Sequence, residues 1–311
     1  AEVPYLEGEY ILKFQDDGGR LCAGETSVII DLPDNQAPLI ALTRREDQDS
    51  PKFQGTKTNV SFDAVTNSLN LAGTGLFDAI TNFDTEASID DSGGISPTGS
   101  YEFGGAAGSS FLDLGAVFSV DFKRHFLTEG FFPSDLFDAR GLIDDITDFD
   151  GTTALDVNAE MQIAVTQDNP GSGSPTYTAF QTFANGTYKG RGFKFKANLI
   201  SNDIGQDIKV SQLGYTASLQ RRTEQGNLTS SGAGAKAITF THPFFVGTSS
   251  ILGANTNLPS IGINAQNMAS GDYFEVSSVS GTGFTVHFKN SSNASIDRNF
   301  TYQAVGFGKG G

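Results

Sequence analysis

Residues 192–200 read GFKFKANLI, and this short run decides the fold class. Phe193, Phe195, Ala197 and Leu199 alternate with Lys194, Lys196 and Asn198. Successive side chains of a strand point to opposite faces, so this alternation predicts one buried face and one wet face. The same signal recurs on both sides. VSFDAV (60–65), SLNLAG (68–73), SYEFGG (100–105) and SFLDLGAVFSVDF (110–122) come before it, with AEMQIAVTQ (159–167) and YTAFQTF (177–183). VSQLGYTASLQ (210–220) follows. Gly, Asn, Asp and Pro stand between these runs, as turns require. Roughly eight short strands between 59 and 222 predict a jelly-roll-like β-sandwich.

Composition points the same way. The chain has 311 residues with 26 Phe, 37 Gly and no Trp, and no stretch sustains a helical period. Abundant aromatic and hydroxyl residues with frequent glycine favour strands and tight turns, so the expected class is all-β. The length suits two or three modules. A second set of strand signals fills 238–311: ITFTHPFF, SIGINAQNM, YFEVSSV, GFTVHFKN and NFTYQAVGFG. They predict a small terminal sandwich whose thin core association would help to stabilise.

Near the start, EYILKFQ (9–15), the turn DDGGR and SVIIDLP (27–33) read as the last two strands of a fibronectin III-like module. Such a sandwich needs roughly seven strands, so residues 1–33 are expected to be the end of a module that begins further upstream. The polar, proline-containing stretch 34–58 and the stretch 223–237 read as linkers.

Charge and cysteine narrow the function. The formal net charge is −16, and of 20 basic and 36 acidic residues only four and three lie from Gly226 onward, leaving 16 and 33 before it. Nucleic acid demands a basic patch, so no nucleic-acid partner is expected. Cys22 is the single cysteine, which excludes an internal disulfide and a cysteine zinc site; it reads as a small buried residue. No apolar run approaches the ~18–20 residues of a spanning helix, and the opening AEVPYLEGEY has no secretory h-region. Six N-x-S/T sequons, beginning at Asn59, Asn185, Asn227, Asn290, Asn293 and Asn299, are read as chance in so Asn-, Ser- and Thr-rich a chain.

Catalytic and metal patterns fail on spacing. Asp144, Asp145, Asp148 and Asp150 precede Gly151, yet an EF-hand frame would put Ile146 and Val157 at its first and twelfth positions. That leaves a solvated acidic loop, with a calcium loop of another geometry as its alternative. His125, His242 and His287 are far apart and form no zinc motif, and G-x-S-x-G is absent. The Gly-rich 104–108 (GGAAG) has no strand-to-helix setting for a phosphate. No catalytic residue, metal or cofactor is assigned, and the chain is expected not to be an enzyme. Alternation in the terminal module places Asn264, Gln266, Tyr273, Glu275, His287 and Lys289 on polar strand faces. Together they form the candidate ligand-binding surface, expected to share one sheet face.

The run from SFLDLGAVFSVDFKRHF (110–126) through SDLFDARGLIDDITDFDG (134–151), MQIAVTQDNP (161–170) and VSQLGYTASL (210–219) resembles a module of phage central tail fibre (host-specificity) proteins. The stretch from ITFTHPFF to the final GFGKGG resembles the terminal module of the same family, which is similar in pattern to H-type lectin domains. Together the two cover about 110–311. The resemblance implies a homotrimeric fibre at the distal end of the virion's tail. It would sit among other tail-tip proteins and bind a bacterial surface receptor, a glycan or an outer-membrane protein. The alternatives are a purely structural fibre segment and a tail-borne polysaccharide depolymerase, which would favour a long β-helix; no such repeat is present.

Overall fold

The computed structural model describes residues 8–13, 26–30, 39–73, 95–132, 154–203, 205–248 and 252–310. Every regular element in them is a β-strand, as the alternation predicts. The first part holds β1 (Gly8–Leu12), β2 (Thr26–Ile30), β3 (Leu39–Arg45), β4 (Thr56–Thr58), β5 (Val60–Asp63), β6 (Ser68–Leu71) and β7 (Thr98–Phe103). The middle holds β8 (Leu112–Phe131), β9 (Val157–Thr166), β10 (Gln181–Thr182), β11 (Gly186–Ser201) and β12 (Asp207–Ser230). The last part holds β13 (Lys236–Thr239), β14 (Ser260–Gln266), β15 (Tyr273–Ser277), β16 (Gly283–Lys289), β17 (Asn299–Phe307) and β18 (Lys309–Gly310).

The run GFKFKANLI lies in β11, where Phe193, Phe195, Ala197 and Leu199 are fully buried. The Phe195 ring stacks on Tyr215 of β12 with centroids 4.2 Å apart, and Phe193 meets Phe122 of β8 at 5.0 Å. Such ring pairs contribute about 0.5–1.5 kcal/mol each beyond the area they bury. The opposite face is less wet than expected. Lys194 lies over the Tyr177 ring at 4.6 Å and Lys196 over Phe180 at 4.3 Å. The segment before β10 thus straps across the lysine stems, which pack as apolar chains while their ammonium groups face the rings.

Two long strands join the parts. β8 pairs with β11 through 112–122 and with β12 through 121–131. β12 pairs with β8 and β3 along 207–220, then continues as the partner of β17 along 221–230. One strand therefore belongs first to the large antiparallel assembly and then to the terminal one. Among the described residues the terminal module has six strands, β12–β17–β14 in one sheet and β13–β16–β15 in the other. Phe284, Val286 and Phe288 of β16 face Phe300 and Ala304 of β17 between them, with Phe288 and Phe300 rings 5.5 Å apart. At the chain's end β18 returns to pair with β8, and Phe245 meets Phe118 edge-on at 6.1 Å.

These pairings correct both linker assignments. Within 34–58, β3 pairs with β12 over seven positions and Glu46 and Phe53 are fully buried. The polar composition misleads because the charges satisfy one another. Arg44 reaches Glu46 at 2.5 Å and also Asp49, while Arg45 holds Asp47 at 2.8 Å. Tyr101 donates its hydroxyl to Glu46, and Asp47 accepts the Leu213 amide at 3.1 Å. Buried charge is tolerated when it is paired in this way. Within 223–237, residues up to Ser230 belong to β12.

The expected hairpin near the start forms, with β1 and β2 antiparallel from Gly8↔Ile30 to Leu12↔Thr26. Its turn, Cys22 and the acidic run 144–150 lie outside the described residues. In the glycine run 104–108, a Cβ on Gly104 would sit 2.2 Å from the Phe111 backbone nitrogen, so that glycine permits a close chain crossing.

Candidate functional site

The outer face of β13–β16–β15 carries four of the six residues expected from sequence. Tyr273 stands opposite Lys289, and Glu275 opposite His287. Their polar groups are spent on neighbours. Lys289 Nζ donates to Glu275 Oε2 at 2.8 Å, and Tyr273 donates its hydroxyl to Asn293 Oδ1 at 2.5 Å. His287 Nε2 shares a hydrogen bond with Ser295 Oγ at 2.8 Å. The Glu275 hydrogen bond holds the Lys289 ammonium above its ordinary pKa.

Asn264 and Gln266 lie elsewhere. Their strand, β14, pairs with β17 and not with β16, so they point outward from the other sheet. The candidate surface is thus divided between the two outer faces of the sandwich. Alternation tells which side chains face outward; it does not tell which sheet a strand joins.

Asn264 opens onto a cleft of about 460 Å³ on the β12–β17–β14 face. Gln225 of β12, Gln303 of β17 and Gly262 of β14 form one cross-strand row, and Thr301 and Asn264 form the next. Gln225, Asn264 and Gln303 are exposed and Thr301 is half-buried. Among the described residues, none of these four side chains takes a hydrogen-bonding partner, and none carries a charge. Gly262 leaves the floor bare: a Cβ there would meet only the Gln303 carbonyl oxygen, at 3.7 Å. A glycine inside a strand often marks a close approach of a ligand or of another chain.

The floor is held from beneath. The Tyr302 side chain points inward, its ring 5.2 Å from Phe284, and a Cβ on Gly226 would fall 1.9 Å from that ring. Burial and the neighbouring Glu224 push the Tyr302 phenol above its ordinary value. Burial works against the charge of Glu224, yet the Thr241 amide at 2.7 Å and Arg222 Nη1 at 3.0 Å hold it below the usual carboxylate value. The Arg222 guanidinium lies 3.7 Å over the Phe244 ring and donates to the carbonyls of Gly308 and Pro243. The rows above therefore rest on a fixed inner layer.

Sequence reading missed Gln225, Thr301 and Gln303. Gln225 lies in the polar stretch 223–237, which reads as a linker. Thr301 and Gln303 alternate with Phe300 and Tyr302, so their outward direction was legible. Among the described residues, no three His, Cys, Asp or Glu side chains converge as metal ligands. Compared with protein-family models, with curated proteins and with solved structures, the chain matches none.

Proposed function

We propose that this chain is the receptor-recognising end of a phage tail fibre, a non-catalytic adhesin that binds a bacterial surface receptor. In this reading it acts as a homotrimer among other tail-tip proteins at the distal end of the tail. The observation that carries it is the β12–β17–β14 face, where exposed carboxamides surround a bare glycine and have no partner among the described residues. Unengaged donors and acceptors on a rigid sheet suit recognition, because a ligand meets groups that need no rearrangement. The sequence resemblance across about 110–311 supports the setting. The continuous β12 and the return of β18 to β8 suit a module that must stay aligned with the body of a fibre. Three copies on one fibre would add avidity to weak single contacts.

The test is flow cytometry of the labelled chain on a panel of Gram-negative strains, with reducing sugar measured in the same samples. Saturable binding to at least one strain without sugar release is the expected result. Release of reducing sugar would make the chain a depolymerase, and no binding across the panel would leave a structural fibre segment.

A further inference from the structure

We infer that the cleft over Gly262 binds an uncharged saccharide. This rests on the adhesion reading and names the chemistry of the ligand. Each carboxamide of Gln225, Asn264 and Gln303 offers two donors and an acceptor, and the Thr301 hydroxyl offers one donor and two acceptor sites. Vicinal hydroxyls and acetamido groups are the ligand groups that match such a mixed set. A protein strand would instead seek free backbone groups along a sheet edge, whereas these side chains stand on the face of the sheet, in rows that run from β12 across β17 to the edge strand β14.

Charge decides between classes of saccharide. No lining side chain is charged, so a carboxylate or phosphate on the sugar would have no counter-charge. The volume of about 460 Å³ lies in the roughly 300–1,000 Å³ range of small-ligand clefts. Gly262 lets a sugar ring approach the backbone, and the Tyr302 ring is turned into the core, which removes stacking from this site. Hydrogen bonds exchanged against water give little net affinity, so a single copy binds weakly and cell attachment depends on several copies. The opposite face lacks this capacity because Lys289, Glu275, Tyr273 and His287 are already paired.

The experiment titrates the full chain with N-acetylglucosamine, galactose and glucose, and with glucuronic acid as the acidic counterpart, by ligand-observed NMR. Gly262→Arg fills the cleft, and the 3.7 Å clearance at its Cβ predicts an unchanged melting midpoint. The double variant Asn264→Ala/Gln303→Ala gives an independent reading if the arginine disturbs folding. The expected result is millimolar binding of at least one neutral sugar, at least about tenfold weaker binding of glucuronic acid, and loss of binding in both variants. Binding that persists in both variants, or stronger binding of the acid, overturns the inference. Cells bound by the parent and by both variants, with no sugar bound, leave the adhesion reading standing and remove the cleft. Sugar bound through the cleft by a chain that attaches to no cell does the reverse. An oligomer that falls apart in Gly262→Arg, with no sugar bound by the parent, makes the face a contact between copies and also overturns the inference.

Discussion

Replacing Asp207 with Asn removes a negative charge whose partners among the described residues are backbone donors. The residue begins β12 and is 3 % exposed, and its Oδ1 accepts the amides of Ile208 at 2.6 Å and Leu71 at 3.2 Å. Burial pushes the carboxyl up to about 6 from an ordinary 3.8, against the opposing pull of those two amides. Two pH units correspond to about 3 kcal/mol, an upper bound for the penalty on the ionised form. Asparagine keeps the Oδ1 acceptor but places an amide nitrogen where Oδ2 stood, so the net gain expected at neutral pH is about 1–2 kcal/mol. The direction follows from proton linkage. The folded chain holds this proton to higher pH than the unfolded chain does. Stability is therefore lost as pH rises from about 4 to about 6, and the loss is complete above the folded pKa. Asp207→Asn should match the parent near pH 4 and exceed it from about pH 6 upward. Urea unfolding of both proteins at several pH values measures the difference, in which other titrating groups cancel. A difference independent of pH, or a less stable variant at pH 7, refutes the reasoning.

Other outcomes follow from the same packing. Tyr101→Phe removes the hydroxyl that donates to buried Glu46 and accepts the Gly55 amide at 2.6 Å; a loss of about 2–4 kcal/mol in urea unfolding is expected. Gly226→Ala drives a methyl group into the Tyr302 ring and should cost about 1–3 kcal/mol, whereas Gly262→Ala, with an open floor, should be neutral or stabilise by up to about 1 kcal/mol. Paired melting curves separate the two glycines. Tyr273→Ala/His287→Ala should leave saccharide and cell binding unchanged, because those groups engage Asn293 and Ser295 rather than an open cleft; a loss of binding would return the site to that face.

The parts of the fold legible in sequence are those governed by local alternation. In β11, Phe193, Phe195, Ala197 and Leu199 announce a core face, and Phe284, Val286 and Phe288 do the same for β16. Non-local pairing was not legible. β3 sits in a largely polar stretch and pairs with residues 214–220 of β12, and its arginines look solvated until Glu46, Asp47 and Asp49 close around them. β12 runs on through Arg222 and Glu224 as a strand because Phe244 and Tyr302 receive those side chains, contacts that no local window contains. The site shows the same division. The outward direction of Asn264 and Gln266 was readable, but their separation from His287 depends on β14 choosing β17. Gly262, a glycine inside an otherwise regular strand, is the sequence signal that marks this face.

Because β12 supplies one strand of the terminal sandwich, the decisive measurement uses the full chain. It is the binding isotherm of labelled parent and Gly262→Arg proteins on the same bacterial cells, after matched melting curves. Saturable attachment by the parent, abolished in the variant, is what receptor recognition through the β12–β17–β14 face predicts. Equal attachment by both proteins would contradict recognition through that face, and attachment by neither would contradict recognition itself.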